Sequence, residues 1–305
     1  MKNDENEPIG ILLVNKPKGW TSFDVCGRLR GILHTKRIGH AGTLDPMAEG
    51  VLPVLVGKAA KAADILPESS KVYRAGFKLG IRTDTQDISG EVTDTSDTAV
   101  SCKELEAALE SFVGDYMQVP PMYSAVKVDG RKLYEYAREG REIKREGRLR
   151  HIDFIKLIQF DEAKREGVIE LSVSRGTYVR TLIDDLGTAL SSFGTMTSLV
   201  RVNACGFDIN SCLTIEQIEK AAYEGRISEI LTPLDEIFAS LRPIRLDERK
   251  TVLYKNGVKF RPEQVGIRKI TDGERFRVTG HDNKIIAVAY TDKAKNELRA
   301  LRNFY

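Results

Sequence analysis

The sequence predicts an α+β fold in which a mixed, largely antiparallel sheet is flanked by helices and a small β-rich domain follows. Strand-like and helix-like segments alternate without the regular βαβ order of a doubly wound fold. Lys71–Gly80 alternates between apolar and polar side chains, which is the period of a half-buried strand. Turn signals at Asn256-Gly257 and Asp272-Gly273 divide the C-terminal region into short strands. We therefore expect a larger mixed domain at residues 1–240 and a β-rich domain at 241–305.

The N-terminal elements follow from local patterns. Residues 10–15 (GILLVN) form an apolar run typical of a buried strand, and Lys16–Gly19 is a turn. Thr21 or Ser22 can cap a helix, because apolar side chains then follow at helical spacing. The same reasoning predicts strands at 52–56, 71–80, 124–128, 151–160 and 168–174, helices at 58–66, 101–113, 177–190 and 214–231, and a helix or ordered loop at 132–138.

The composition indicates a soluble globular protein. Charged residues make up 30% and hydrophobic residues 41% of the 305 positions. No apolar run approaches the roughly 18 residues that a membrane helix needs, and the first ten residues lack a signal-peptide core. We therefore expect a cytoplasmic protein. The four cysteines form no C-x-x-C pair, so free thiols are favoured over a zinc site.

The charge is distributed unevenly. Residues 242–305 contain 16 Lys and Arg against 8 Asp and Glu, a net charge of +8, whereas the rest of the chain carries −5. A basic region on a slightly acidic body is typical of a polyanion-binding domain. A solvated basic surface explains the charge equally well, so both interpretations stay open.

The segment Gly39–Gly50, GHAGTLDPMAEG, presents one carboxylate on a constrained loop. Pro46 biases Asp45 towards extended backbone, and the glycines before it permit a sharp turn. His40 lies close by in sequence. A carboxylate held in this way suits nucleophilic or acid/base chemistry on a sugar. Taken alone, the Asp-Pro pair is explained more simply as the start of a helix, with Asp45 as its N-cap.

Residues 127–150, called the basic segment below, contain the densest cluster of cations. Eight lie between positions 131 and 150, namely Arg131, Lys132, Arg138, Arg141, Lys144, Arg145, Arg148 and Arg150. Basic side chains neutralise phosphates, and Tyr134 and Tyr136 could stack on unpaired bases. The alternative is a solvated helix with internal ion pairs, but Gly140 and Gly147 would interrupt it. We therefore predict a mobile loop that grips nucleic acid.

Two further side chains have both a structural and a functional interpretation. Tyr73 shares a strand face with apolar residues, which favours a core position; it could instead support a flipped base and move a proton. Arg180 should fall in the first turn of a helix, where the dipole disfavours a cation unless an anion such as Asp45 shares the site. On the sequence around it, an ordinary exposed arginine is the simpler interpretation. No nucleotide-binding glycine motif occurs.

Taken together, six segments resemble a known family. They are residues 11–22 (ILLVNKPKGWTS), 39–46 (GHAGTLDP), 71–73 (KVY), 119–127 (VPPMYSAVK), 175–182 (RGTYVRTL) and 196–199 (MTSL). In this order they resemble the bacterial tRNA pseudouridine-55 synthases, the TruB family, over roughly residues 8–240. The C-terminal region resembles, less specifically, the PUA-like RNA-binding domain that often ends these enzymes.

The resemblance implies a pseudouridine-synthase fold and isomerisation of one uridine in the tRNA T-loop. It implies that Asp45 acts on the ribose, either by attacking C1′ or by removing the C2′ proton. Tyr73 then stacks on the base and accepts the C5 proton, and Arg180 pairs with the aspartate. Two alternatives stay open: a tRNA-binding protein without turnover, and a relative that depends on a guide RNA.

The resemblance also assigns supporting roles. His40 fills the place of the flipped base, Leu199 is an apolar pocket contact, and Lys16, Pro17, Gly42 and Thr43 lie at the substrate site. RNA phosphates are expected at Lys127, Arg131, Lys132, Arg138, Arg141, Lys144 and Arg145. Many relatives carry arginine where this chain has Val200, with Arg201 next. Since the reaction returns the same atoms, no cofactor or metal is expected. The expected partner is the tRNA T-arm. We expect the protein to bind it as a monomer, without a protein partner or a membrane.

Overall fold

The computed structural model describes residues 7–67 and 70–305. The described residues fall into two compact units. The first unit comprises residues 7–46, 52–67 and 210–305, and the second comprises residues 47–51 and 70–209. The predicted division at residues 240/241 stays a prediction, although the C-terminal strands do begin at Arg242.

The regular elements are numbered in chain order. The strands are β1 (Gly10–Lys16), β2 (Ile38–His40), β3 (Ala48–Val56), β4 (Lys71–Leu79), β5 (Ile81–Thr83), β6 (Val92–Thr95), β7 (Gly114–Gln118), β8 (Lys127–Val128), β9 (Arg131–Lys132), β10 (Arg148–Asp161), β11 (Glu166–Val173), β12 (Gly194–Ala204), β13 (Phe207–Asp208), β14 (Arg242–Arg245), β15 (Arg275–Thr279), β16 (Ile285–Asp292) and β17 (Glu297–Asn303). The helices are α1 (Ser22–Leu33), α2 (Cys102–Ser111), α3 (Leu133–Arg138), α4 (Val179–Ala189), α5 (Ile215–Tyr223), α6 (Ile227–Ile230), α7 (Leu234–Ile237) and α8 (Glu248–Lys255).

The second unit is built on a mixed sheet in which most neighbours are antiparallel. Strand β12 pairs antiparallel with β4, which pairs with β11, which pairs with β10, which pairs with β7. On its other side β12 pairs parallel with the first residues of β3, Ala48–Gly50. Gly50 has φ +101°, and a side chain there would collide with the Arg201 backbone. The predicted mixed, largely antiparallel sheet is confirmed.

The first unit contains two apolar cores. One packs α1 and α5 against β1 and the later part of β3, with Leu12, Val25, Leu29 and Ile218 buried together. The other lies under the four-stranded sheet β14–β17, whose order follows the chain. Its members include residues from α8 and from the strands, so the predicted β-rich C-terminal region is confirmed.

Helix starts agree with the local signals. Thr21, Ser101 and Thr214 cap α1, α2 and α5, and each accepts a hydrogen bond from the backbone N–H three residues later. In each case the side chain at that third position bonds back to the cap, which forms a capping box. These reciprocal bonds involve only neighbours in sequence, which is why the sequence predicts them.

Several predicted elements are wrong in extent. Residues 57–62 form a 3₁₀ helix instead of the α-helix predicted at 58–66. The helix predicted at 214–231 is divided into α5 and α6, because Gly225 takes a left-handed φ of 72°. The strand predicted at 124–128 is reduced to Lys127–Val128, and the polar residues 84–97 contribute to the β5–β6 ribbon.

Strand β12 was not predicted, although it lies between β3 and β4. Two of its buried positions carry polar side chains, Thr195 and Arg201, which obscures the apolar pattern of a central strand. Ser198 Oγ accepts from Gly76 N at 3.2 Å, Thr195 Oγ1 donates to Ile81 O at 3.0 Å, and Arg201 Nε donates to Val51 O at 2.7 Å. The burial of Thr195 and Arg201 depends on these hydrogen bonds to residues far away in sequence.

Among the described residues, no helix is long and apolar enough to span a membrane.

Candidate active site

Asp45 lies on an irregular loop of the first unit. Gly42 provides the left-handed turn before it, with φ 79°, and Asp45 itself is partly exposed. Gly39, predicted to help this turn, lies instead within β2. No helix follows Asp45, because the chain turns at Pro46 and enters β3 at Ala48. The interpretation of Asp45 as a helix cap is therefore wrong.

The residues on either side of Asp45 are held by backbone hydrogen bonds. Before it, the buried Ser22 hydroxyl accepts from Leu44 N at 2.9 Å and donates to Leu44 O at 3.2 Å. After it, Pro46 O accepts from Gly19 N at 2.7 Å. Because both neighbours are fixed, the position of the Asp45 backbone is determined before any ligand arrives.

The buried side chain of Lys16 also holds the loop that carries Asp45. Its side chain is fully buried, and its ammonium donates to Trp20 O at 2.6 Å, Pro17 O at 3.0 Å and Pro46 O at 3.5 Å. An ammonium has three N–H donors, which matches these three carbonyls. Lys16 therefore joins the turn after β1 to the loop that carries Asp45, which gives a structural reason for the Lys-Pro pair.

Lys16→Met should destabilise the first unit. Methionine preserves the length of the side chain but removes every donor, so buried carbonyls lose their partners. We expect the free energy of unfolding to fall by about 2–4 kcal/mol in urea denaturation. Lys18→Met, two residues away and exposed, is the control and should change little. Equal stability of the two variants would contradict the role given to the Lys16 ammonium.

The other predicted residues of the first unit surround the same loop. His40 ends β2 opposite Val54, and the chain is then held by a bond from Ala41 N to Pro53 O at 2.9 Å. His40 is partly exposed and Thr43 is exposed, so both side chains reach the surface of this loop.

Tyr73 and Leu199 lie near each other in the sheet of the second unit. Tyr73 on β4 is paired with Arg201 on β12, and Leu199 on β12 is paired with Ala75 on β4. Both side chains are 7% exposed. The prediction that Tyr73 belongs to the buried strand face is confirmed, and its role towards a base stays a prediction.

Arg180 lies in the first turn of α4, as predicted, but it is 6% exposed. Its Nη2 donates to Tyr123 O at 2.8 Å and its Nη1 to Thr85 O at 3.5 Å. Nη1 also lies 3.9 Å from Asp87 Oδ2, and both side chains are almost fully buried. The interpretation of Arg180 as an ordinary exposed arginine is therefore wrong.

Asp87 is the functional candidate that sequence reasoning missed. Its Oδ1 accepts from Thr85 Oγ1 and from Ser89 N, each at 3.0 Å, while Oδ2 is directed to Arg180. A buried carboxylate compensates the cation in a helix turn that otherwise disfavours it. The local pattern of Asp, Thr and Ser predicted only turns, and nothing in it indicated the distant arginine.

The surroundings of Tyr73 are electropositive. Lys71 lies two residues before it on the same strand, and burial together with the charges of Arg201 and Arg175 lowers the pKa of Lys71 to about 8. Burial also raises the pKa of the nearby Cys205 thiol. The charges of Lys71, Arg175 and Arg201 together favour an anion near Tyr73.

The basic segment is more ordered than the sequence suggests. Strands β8 and β9 form a small hairpin that leads into α3, and only residues 139–147 lack regular structure before β10. The guanidinium of Arg131 lies 4.6 Å from the Tyr136 ring centre, and Arg138 lies 5.2 Å from that of Tyr134. Tyr136 is buried, so its ring does not offer the open stacking face that was predicted.

The cations of the basic segment differ in whether they are free to bind a phosphate. Arg131 pairs with Glu139 and Glu135, while Arg145 donates to Pro120 O at 3.3 Å and pairs with Glu142. Lys127 and Lys144 are exposed, and neither forms an ion pair with any described residue. Lys127 and Lys144 can therefore meet a phosphate without breaking an internal ion pair.

Within residues 7–67 and 70–305, no cluster of His, Cys, Asp or Glu is arranged to hold a metal ion.

Comparison with solved structures defines the class of fold. A chain in the crystal structure of a Cbf5–Nop10–Gar1 complex superposes with a TM-score of 0.73 at 22% identity, over 99% of this chain and 88% of that chain. A chain in the archaeal box H/ACA sRNP Nop10–Cbf5 complex gives a TM-score of 0.72 at 20% identity, over 97% and 86%. This chain therefore has the mixed α+β fold of these two chains.

Sequence comparison identifies the family. Residues 30–179 match the N-terminal domain of the TruB family pseudouridylate synthases, and residues 180–239 match the tRNA pseudouridylate synthase B C-terminal domain. The tRNA pseudouridine synthase B of Pediococcus pentosaceus is 42% identical over 81% of this chain and 85% of its own length. That of Staphylococcus haemolyticus is 40% identical over 94% and 96%. The chain belongs to the TruB family of pseudouridylate synthases.

Proposed function

We propose that this protein converts uridine to pseudouridine at position 55 in the T-loop of tRNA, with Asp45 as the reacting carboxylate. Relatives that carry the name tRNA pseudouridine synthase B support the substrate. The observation that carries the assignment of Asp45 is the fixed backbone on both sides of it, at Leu44 and Pro46. Preorganisation of this kind suits a residue that must meet one carbon atom of a bound ribose.

The proposed reaction balances without any other reagent. The target uridine first leaves its stack, which costs a few kcal/mol. The N1–C1′ bond then breaks, the uracil rotates, and a C5–C1′ bond forms. C5 loses its proton and N1 gains one, so the product is an isomer of the substrate. Asp45 acts either as the nucleophile at C1′ or as the base that removes the C2′ proton.

The remaining roles follow the resemblance and are supported by burial. Tyr73 contacts the base and accepts the C5 proton, and Leu199 provides an apolar wall. Arg180 is a fixed cation, since its guanidinium is already directed by two carbonyls and Asp87. His40 occupies the space that the base has left. The partner is the tRNA T-arm, which a monomer binds unaided.

A synthetic T-arm hairpin provides the direct test. The hairpin carries tritium at C5 of its uracils, and its pseudouridine is mapped after incubation with the purified protein. Release of tritium from the single target position is the expected result. RNA binding without release would favour the non-catalytic alternative, whereas release that requires an added guide RNA would favour the guide-dependent one. Either outcome overturns the proposal.

Lys127 and Lys144 should contribute a salt-dependent part of RNA affinity. Their joint replacement by alanine is expected to weaken T-arm binding and to reduce the slope of log Kd against log salt by about 1–2, because each phosphate contact releases counterions. Filter binding at several salt concentrations measures this slope. The control replaces Lys103 and Lys164, which lie outside the basic segment. An equal slope for both double variants would exclude the basic segment as a phosphate contact.

A further inference from the structure

The side chain of Gln118 joins the end of β7 to the beginning of α4. Its Oε1 accepts from Tyr178 N at 2.8 Å, and its Nε2 donates to Tyr178 O at 3.0 Å. Gln118 is 1% exposed. A primary amide has the same donor and acceptor as a peptide group, so this side chain pairs with the Tyr178 backbone much as a neighbouring strand would. Both polar ends of a fully buried group are thereby satisfied.

This pair holds the N-cap residue of α4 in place. Tyr178 is the N-cap residue, and its own side chain makes no capping hydrogen bond. Helices usually begin with a Ser, Thr, Asp or Asn whose side chain fixes the first turn. Here the N-cap residue is held from another strand instead, because Gln118 is itself fixed in the sheet opposite Arg148. The position at which α4 begins is therefore set by Gln118.

Arg180 depends on that position. It lies two residues after Tyr178, and its Nη2 donates to Tyr123 O at 2.8 Å, five residues after Gln118. The segments 118–123 and 178–180 are thus joined twice, once by the Gln118 amide and once by the Arg180 guanidinium. Without the Gln118 amide, the start of α4 can move relative to Tyr123 O, which the Arg180 guanidinium must reach.

We propose that Gln118 is a positioning residue for the isomerisation, acting through Arg180. This role rests on the proposed function, because Gln118 positions Arg180, the cation that the proposed reaction uses. Gln118 does not touch the substrate in this scheme. Aspartate or asparagine would be too short to span the same gap, and an aliphatic side chain would leave Tyr178 N without its partner.

The first test compares Gln118→Ala with the unchanged protein under single turnover at saturating T-arm RNA. The rate should fall about 10- to 100-fold, since small displacements of a catalytic group have effects of this size. The Kd for RNA should stay within about threefold. An unchanged Kd shows that the lower rate comes from a displaced Arg180 and not from weaker RNA binding. Gln217→Ala is the matched control, because Gln217 also bonds a helix-start backbone, at Thr214 N. A full rate in Gln118→Ala overturns the proposal.

A double-variant cycle tests whether the effect passes through Arg180. In the Arg180→Lys background, Gln118→Ala should reduce the rate no further, because the guanidinium that it positions is already absent. Fully additive losses would show that Gln118 acts elsewhere and would overturn the proposal. Thermal unfolding of all four proteins ensures that rates are compared only where each is folded.

Gln118→Glu provides a second test that preserves shape. A neutral carboxylic acid can accept from Tyr178 N and donate to Tyr178 O, whereas a carboxylate can only accept. Burial raises the pKa of such an acid, so the rate relative to the unchanged protein should rise as pH falls from about 8.5 to about 5.5. A flat ratio over this range overturns the proposal.

The proposal can fail separately from the proposed function. If the unchanged protein forms no pseudouridine, the proposed function is wrong. The role of Gln118 is then judged by nitrogen NMR of the Arg180 guanidinium. Gln118→Ala must shift or broaden the Arg180 Nε signal while Gln217→Ala leaves it in place, and an unaltered signal in Gln118→Ala overturns the proposal.

Discussion

Asp45→Asn is expected to abolish pseudouridine formation while RNA binding persists. Asparagine has nearly the shape of aspartate, and the bonds that Leu44 and Pro46 make with Ser22 and Gly19 involve only backbone groups of the loop. The loop should therefore keep its conformation. The amide is neither a competent nucleophile nor a base, so a rate loss of about 10⁴-fold or more is expected in single turnover.

Tritium release and filter binding on the same T-arm hairpin measure the two properties. Asp97→Asn, at an exposed position, is the matched control and should leave both unchanged. A rate within tenfold of the unchanged protein would remove Asp45 from the reaction. Loss of rate together with loss of binding would instead indicate that the loop holds RNA, which is the expectation for a tRNA-binding protein without turnover.

Arg180→Lys is expected to reduce the rate by about 10²- to 10³-fold despite the unchanged charge. The guanidinium is planar and reaches Tyr123 O, Thr85 O and Asp87 at once, whereas an ammonium is a compact donor on a differently shaped side chain. Asp87 would then stay buried with a weaker partner. We also expect the free energy of unfolding to fall by about 1–3 kcal/mol in denaturant titration.

Arg74→Lys is the control for this substitution. Arg74 also forms an ion pair, with Glu170 at 3.0 Å, but it is exposed on β4, where such pairs contribute little. Rates are compared at a temperature at which both variants are folded. Equal losses in the two variants would mean that the fixed guanidinium of Arg180 has no special part in the reaction.

Much of the fold follows from neighbours in sequence. The period of β4, the capped start of α1 at Thr21 and the turn at Gly42 depend on residues within one turn of helix or a few positions of strand. Strand β12 was missed for the opposite reason. Its buried Thr195 and Arg201 donate hydrogen bonds to carbonyls far along the chain, so the local pattern alone does not indicate a central strand.

In the candidate site, too, some features follow from the local sequence and others only from contacts between distant residues. The sequence by itself determined that a turn precedes Asp45 and that Arg180 begins a helix, because proline, glycine and helix spacing act locally. It favoured a helix after Asp45 that the structure does not form. Only the tertiary structure decided that Arg180 is buried beside Asp87 and that Gln118 fixes the helix start. Those contacts join residues about sixty or more positions apart, and a hydrogen bond across that distance leaves no mark on the pattern of either segment.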